Sequence, residues 1–564
     1  MTEDLVALEE FGLALAMAGQ GRSAEAAHHY RHALELDPTF TEARYNLANL
    51  YLTAGLLDEA EPLYRGIHAS EPLFARAECN LGMLLLRRER FAEAVDGLTR
   101  ALAAEPDLLP ARHGLAMALL RLGRTAEAVE QYRLVTLAAP DTLDAREELG
   151  LGLRDLDRCE EAAAELRLVA EHRPDDPGTL TNLGNVLVQI GRFEEADRCL
   201  RRVCALEPDD ARHRSNLGVL RQAEGRLHEA VSEYGHALSL APDDPDIRFN
   251  LATALLGLGE YQRGFAEFES RLQAADSVLN RIDTDAPPWD GRVVEDMSLL
   301  LYPEQGFGDA IQFVRYAPVM AALGVRVTLA CRPGLMPLFS TLSGVERLVS
   351  IDQPLPRCDA HAPLMSLPHL LGTTLDTIPA EVPYLTPDPG LVRRWSSRID
   401  DGRPGLKVGI VWQGTRTANP LARTRSIPLE TLARLGRRGV TLYSLQVDQG
   451  RDQLDDLVPT PSLVDIGGDI ARDGGLFMNT AAVMAGLDLI ITIDTAAAHL
   501  AGALGRPVWV LLAHAADWRW LVGRDDSPWY PTARLFRQPR HGDWDAVISR
   551  MAGELSRFAG GVRK

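Results

Sequence analysis

The chain has 564 residues, with 79 acidic against 59 basic side chains, a formal net charge of −20 and 46% apolar content. It is too long for one hydrophobic core, so about two to four domains are expected. The acidic balance excludes broad binding to nucleic acid or to an anionic membrane, both of which need a positive field, so an anionic small ligand must be held by a local site.

The chain opens on Met1-Thr2-Glu3-Asp4 and runs into an amphipathic helix. There is no basic segment followed by an apolar core, so export is not expected. The most apolar stretch, 481–513, is broken by Asp488, Asp494, His499 and Arg506 and does not read as a membrane span. The six cysteines form no CxxC pair, which fits reduced thiols and a cytoplasmic location.

Over the first half, residues recur every 34 positions. Prolines stand at Pro38, Pro72, Pro106, Pro140, Pro174, Pro208 and Pro242; leucines from Leu13 and Leu47 to Leu251; alanines from Ala26 to Ala230. Glycines Gly21, Gly55, Gly123, Gly191, Gly225 and Gly259 fall midway, where a helix–helix turn belongs. Apolar residues at steps of three and four mark both halves of each unit as amphipathic helices. Such a pair cannot bury its apolar faces alone, so units stack. The pattern resembles the tetratricopeptide repeat over 7–278, the last unit carrying Gly264 and Asp276 where alanine and proline are due. An α-solenoid is predicted over 1–278, followed by a linker at 279–296.

Before the repeat leucines stand Asn46, Asn80, Asn182, Asn216 and Asn250, interrupted by Gly114 and Glu148. A carboxamide both donates and accepts, so a row of them on a concave face can hold an extended peptide backbone. The spacing resembles the asparagine ladder of the O-linked N-acetylglucosamine transferases, which implies a protein partner. Packing between repeats is the alternative use.

From Met297 the pattern changes. Apolar runs at 297–302, 325–331, 345–351, 407–412, 440–446, 487–493 and 507–512 alternate with helix-length segments, an α/β pattern with parallel sheets. Proline and glycine near 377–406 divide it into lobes at 297–395 and 396–564. Two such lobes are similar to the Rossmann-like pair of GT-B glycosyltransferases.

In the first lobe, Pro303-Glu304-Gln305-Gly306-Phe307-Gly308-Asp309 joins a strand to a helix. It resembles the Gly-Asp turn of the heptosyltransferases, which implies that Asp309 is a general base and that Gln305, Gly306 and Gly308 line the acceptor loop. A base is needed because a hydroxyl is a poor nucleophile until it loses its proton; a helix cap is the other reading of Asp309. In the second lobe, a strand ends in Trp412-Gln413-Gly414-Thr415 before a basic loop with Arg416, Arg423 and Arg425. Arg425 matches a phosphate-binding lysine of that family, and its fork suits phosphate. Gln446 ends the next strand and is a candidate for base or ribose. The block Asp494-Thr495-Ala496-Ala497-Ala498-His499-Leu500-Ala501-Gly502-Ala503-Leu504-Gly505-Arg506-Pro507 resembles the donor-binding block of heptosyltransferases. It implies that Asp494, Thr495 and His499 meet the donor, with Gln413, Gly414 and Arg425 beside them. Read as residues alone, Asp494 is equally a helix cap and His499 equally a structural histidine. The tail with Asp517-Trp518-Arg519-Trp520-Leu521 and Trp529-Tyr530 resembles bacterial tetratricopeptide-linked transferases, flagellin glycosyltransferases among them; its rings suit sugar stacking or core packing.

No cluster has metal-ligand spacing, and no metal or cofactor is expected beyond a nucleotide-sugar substrate. The resemblance implies a glycosyltransferase acting on Ser/Thr of a protein held by the repeats. An enzyme extending an envelope glycan and a non-catalytic scaffold are the alternatives.

Overall fold

The computed structural model describes residues 3–273, 282–400, 402–403, 405–415, 424–437, 439–457, 462–472 and 475–562. The chain forms two compact units, Met1–Ile190 and Gly191–Lys564.

The first unit is wholly helical, from Glu3–Gly19 to Pro177–Gln189, and the second opens with five more helices of the same repeat, ending at Tyr261–Phe268. The N-terminal part is thus a tetratricopeptide solenoid. The periodic alanines Ala26, Ala60, Ala94, Ala128, Ala162, Ala196 and Ala230 are all 0% exposed, because paired helices approach too closely there for a larger side chain. The periodic leucines from Leu47 to Leu251 are buried, whereas Leu13 in the first helix is exposed. All six midway glycines adopt positive φ. Where the 34-residue step meets other residues, Glu89 (φ 57°) and Asp157 (φ 65°) take the same left-handed turn. The repeat backbone therefore dictates the conformation even where the sequence lacks glycine.

The second unit continues into two parallel sheets. The first contains β1 (Ser298–Tyr302), β2 (Arg326–Cys331), β3 (Val345–Ser350) and β4 (Ala360–Pro363), in the order β3-β2-β1-β4. The second contains β5 (Leu406–Val411), β6 (Val440–Ser444), β7 (Leu463–Asp465), β8 (Leu489–Ile493), β9 (Val508–Leu512) and β10 (Ala533–Arg537), in the order β10-β9-β8-β5-β6-β7. Central strands such as β8 and β9 are buried throughout and read as unbroken apolar runs. The seven expected strands are all present. The three that were not anticipated, β4, β7 and β10, all lie at sheet edges, where charge, proline and short length are tolerated and the apolar signal is weak.

The repeat helices run on to Tyr261–Phe268, inside the expected range of 1–278, and Ala252, Leu256, Tyr261, Phe265 and Phe268 of the last repeats share one core with Trp518, Trp529 and the first sheet. The expected lobe boundary at 395/396 falls inside the helix Pro389–Ile399, whose Trp395 indole donates to Asn479 Oδ1 at 2.9 Å. Asp276 lies outside the described residues.

Candidate functional site

In both sheets the first strand is central, with partners added on either side, so the strand order reverses between β1 and β4 and between β5 and β8. The carboxyl ends of strands at such reversals form crevices where ligands bind in open α/β sheets.

At the end of β1 the chain turns through Gly306 into the helix Phe307–Phe313. Asp309 lies in its first turn. Oδ2 accepts from the Gly306 N–H at 3.0 Å, so the capping role is realised. Oδ1 accepts from Arg519 Nη2 at 2.6 Å. The Asp309 side chain remains 21% exposed. Gln305 is half-buried and Gly306 exposed. A Cβ placed on Gly308 would lie 3.0 Å from His499 Cδ2 and 3.4 Å from Ala496 Cα. The turn from the first sheet therefore meets the start of a helix from the second, and glycine is what permits the approach.

That second helix is Ala496–Ala503, entered from β8 through Asp494 and Thr495. Thr495 is the N-cap in extended conformation, and its hydroxyl makes no cap bond, so the first helical N–H groups are not covered by it. On its other side, a Cβ on Gly414 would lie 3.3 Å from Thr495 Cγ2. Asp494 is 5% exposed, with Oδ2 3.4 Å from Arg425 Nη1. Burial and the nearby Asp517 raise the Asp494 carboxyl above its ordinary range, against the pull of Arg425. Asp517 moves the other way, because Arg519 holds it ionised against its own desolvation.

His499 is 4% exposed, its Nδ1 3.0 Å from the Tyr530 hydroxyl and its ring stacked on Trp520 at 5.6 Å. Burial, followed by the charge of Arg519, pulls its pKa down to about 3, so it is neutral at ordinary pH. Its observed contacts are those of a structural histidine at the edge of the crevice.

Gln446 does not present a free carboxamide. Its Oε1 accepts from the Trp412 and Gln413 N–H groups at 3.2 Å each, and its Nε2 donates to the Gln413 and Gln449 carbonyls at 2.9 and 2.7 Å. It shapes the turn after β5, as a buried amide with four backbone partners must. Gln413 Oε1 in turn accepts from Gln453 at 2.8 Å. Arg416 and Arg423 lie outside the described residues.

The structure brings together Asp309, Gly308, Gly414, Arg425, Asp494, Thr495 and His499. It adds Arg519, which also donates to Gln312 Oε1 and Asp517 Oδ1 at 2.8 Å each. The sequence signal for Arg519 was its place between two tryptophans. Those two, Trp518 and Trp520, and Trp529 further on do not line a rim: all three are at most 5% exposed and pack in the core.

The asparagines are half-buried and largely engaged between repeats. Asn80 donates to Asn49 Oδ1 at 2.7 Å and Tyr45 Oη at 3.2 Å, Asn182 to Glu147 at 3.2 Å, and Asn250 to Ser215 at 3.5 Å. Asn46 lies against the Tyr30 hydroxyl, and Asn216 is half-buried like the rest. These bonds match the packing use.

Glu207, Asp210 and His213 converge closely enough to chelate a cation, a grouping not foreseen from spacing. His213 Nε2 is 2.6 Å from Glu207, however, and Asp210 caps the next helix, so all three already have partners. Among the described residues, all six cysteines are free and no helix is long and apolar enough to cross a membrane.

Tetratricopeptide-repeat family profiles match residues 17–77, 85–147 and 222–282, and a second such profile matches 181–237. Protein FlbA of Caulobacter vibrioides is 29% identical over 330 residues, 54% of this chain and 54% of its own length. The chain thus spans about half the length of the curated relative it matches. Among solved structures, YrrB, a TPR protein with an unusual peptide-binding site, is 24% identical over 31% of this chain and 90% of its own, with a TM-score of 0.28. PilF of Pseudomonas aeruginosa is 21% identical over 37% of this chain and 95% of its own, with a TM-score of 0.32.

Proposed function

We propose that this protein is a glycosyltransferase that moves a sugar from a nucleotide-sugar donor to Ser or Thr hydroxyls of a protein held by the repeats, flagellin being the first candidate. The observation that carries this reading is the meeting of the Asp309 turn with the Thr495–Ala496 helix start, so close that a Cβ on Gly308 would lie 3.0 Å from His499 Cδ2 and 3.4 Å from Ala496 Cα. A proton acceptor then stands beside a helix N-terminus that its N-cap side chain does not cover. In this reading the acceptor hydroxyl attacks the anomeric carbon while Asp309 takes its proton. The bond to the departing phosphate breaks with its charge held by Arg425, the Thr495 hydroxyl and the first amides of Ala496–Ala503. The repeats supply the protein partner. No metal or cofactor enters this mechanism, in which the nucleotide-sugar is a substrate.

A second reading, a non-catalytic scaffold, is favoured by one observation: both Asp309 oxygens already have partners, Gly306 and Arg519. Intact-mass spectrometry of flagellin from cells carrying wild-type or Asp309→Asn protein separates the two. A mass step present with wild type and lost in the variant supports transfer. A step found only on an envelope glycan identifies a glycan-extending enzyme, and no step on either favours the scaffold.

A further inference from the structure

The segment Asp517–Val522 touches a different element with nearly every residue. The Trp518 ring meets Phe265 at 5.7 Å and Phe268 at 5.9 Å in the final repeat, and Phe313 at 6.4 Å in the Asp309 helix. The Arg519 guanidinium lies 4.4 Å over Trp518 and donates to Asp309, Gln312 and Asp517. Trp520 stacks on His499. Leu521 stands at φ 49°, a backbone region that non-glycine residues seldom occupy, and its carbonyl accepts from Arg537. Val522 N–H donates to the Gly257 carbonyl at 3.1 Å, tying the segment to the preceding repeat helix. A conformation of this kind persists only where its surroundings over-determine it.

We infer that Arg519 is a positioning residue that aims the Asp309 carboxylate, and that Asp517–Val522 transmits to it the packing of the last repeat helices. The guanidinium is a rigid planar fork, so three acceptors held at once fix its place. It is 9% exposed, and Trp518 beneath it is wedged between the repeat and the Asp309 helix. A shift of Phe265 or Phe268 when a protein settles on the repeats moves Trp518, and with it the charge beside Asp309. That Asp309 is a base rests on the proposed function; the coupling itself does not.

Hydrogen exchange of the full-length protein tests the inference without a substrate. Arg519→Ala is expected to speed exchange across Phe307–Gln312 about tenfold or more. Low-millimolar guanidinium chloride should slow it again, by filling the vacated site, where sodium chloride at equal ionic strength does not. Unchanged exchange in Arg519→Ala, or no rescue by guanidinium, overturns the positioning role. If Arg519→Ala fails to fold, Arg519→Lys decides: faster exchange confined to Phe307–Gln312 supports the role, and wild-type exchange overturns it. Phe268→Leu should speed exchange across the same amides, and no change there overturns the coupling. If wild-type protein transfers no sugar, the glycosyl-transfer reading fails while the exchange result still stands or falls on its own.

Discussion

Arg519 donates to Asp309 at 2.6 Å across 210 positions of the chain. This pair joins the turn after β1 to the segment after β9, and it places a fixed cation beside the carboxylate on which the proposed chemistry depends. Asp309 is also bound by the Gly306 N–H, so one side chain organises the helix start and the crevice together.

Asp309→Asn separates these roles. The amide oxygen still accepts from Gly306, so the cap survives, but the group no longer takes a proton. Transfer measured by intact mass should fall about 10²–10⁴-fold, and the melting temperature should drop as well, because the amide nitrogen then faces the buried Arg519 guanidinium, which loses its carboxylate partner. Retained transfer would confine Asp309 to capping.

Tyr261→Phe should destabilise the second unit. The Tyr261 hydroxyl accepts from the Trp529 indole at 2.8 Å, and Trp529 is 0% exposed. Removing the acceptor leaves a buried N–H without a partner, at a cost of about 1–3 kcal/mol. Denaturant unfolding followed by tryptophan fluorescence measures it, and a loss below about 0.5 kcal/mol would contradict the assignment.

Glu89→Gly should stabilise the first unit, and more so than Asp157→Gly. Both residues take the left-handed turn that glycine fills in six other repeats. Aspartate tolerates this region better than glutamate because its short side chain bonds locally. Relief of about 1–2 kcal/mol at Glu89 is partly offset by the entropy of an unfolded glycine, leaving a net gain of up to about 1 kcal/mol. Paired thermal melts of the two variants test the order.

Gly218→Ala and Gly235→Ala should move stability in opposite directions. A Cβ at Gly218 would lie 2.4 Å from the buried Tyr234 ring, whereas nothing lies within 4 Å at Gly235. Overpacking costs about 1–3 kcal/mol at the first site, and helix propensity returns about 0.5–1 kcal/mol at the second. Equal effects in denaturant melts would contradict the close helix approach.

Acidification should weaken the α/β unit through His499. Its pKa is lowered to about 3 in the folded protein, against about 6.5 in an unfolded chain. Between those values the unfolded state binds the extra proton, so stability falls as pH drops through the window. One pH unit below the unfolded value, the loss is about 1 kcal/mol. The raised Asp494 carboxyl acts oppositely, losing stability as pH rises. Denaturant midpoints of wild type and His499→Asn near pH 7.5 and 5.5 isolate the histidine. An equal pH response in both would rule it out.

The sequence determined the repeat, the two α/β lobes and the central strands of both sheets, because each rests on local periodicity that packing then uses: alanine where helices cross, glycine where the chain turns left-handed, unbroken apolar runs where strands are covered on both faces. It also marked Asp309 and the Asp494–His499 block, since both sit at strand-to-helix turns with recognisable residues. Other features were decided only by the tertiary structure. Edge strands β4, β7 and β10 carry little apolar signal. Gln446 looked like a ligand-reading group until four backbone partners were seen around it. Trp518 and Trp529 bind the last repeats into the α/β core. Arg519 meets Asp309 only after the chain has folded, because an ion pair depends on separation in space, and nothing local in the sequence encodes a contact spanning 210 residues.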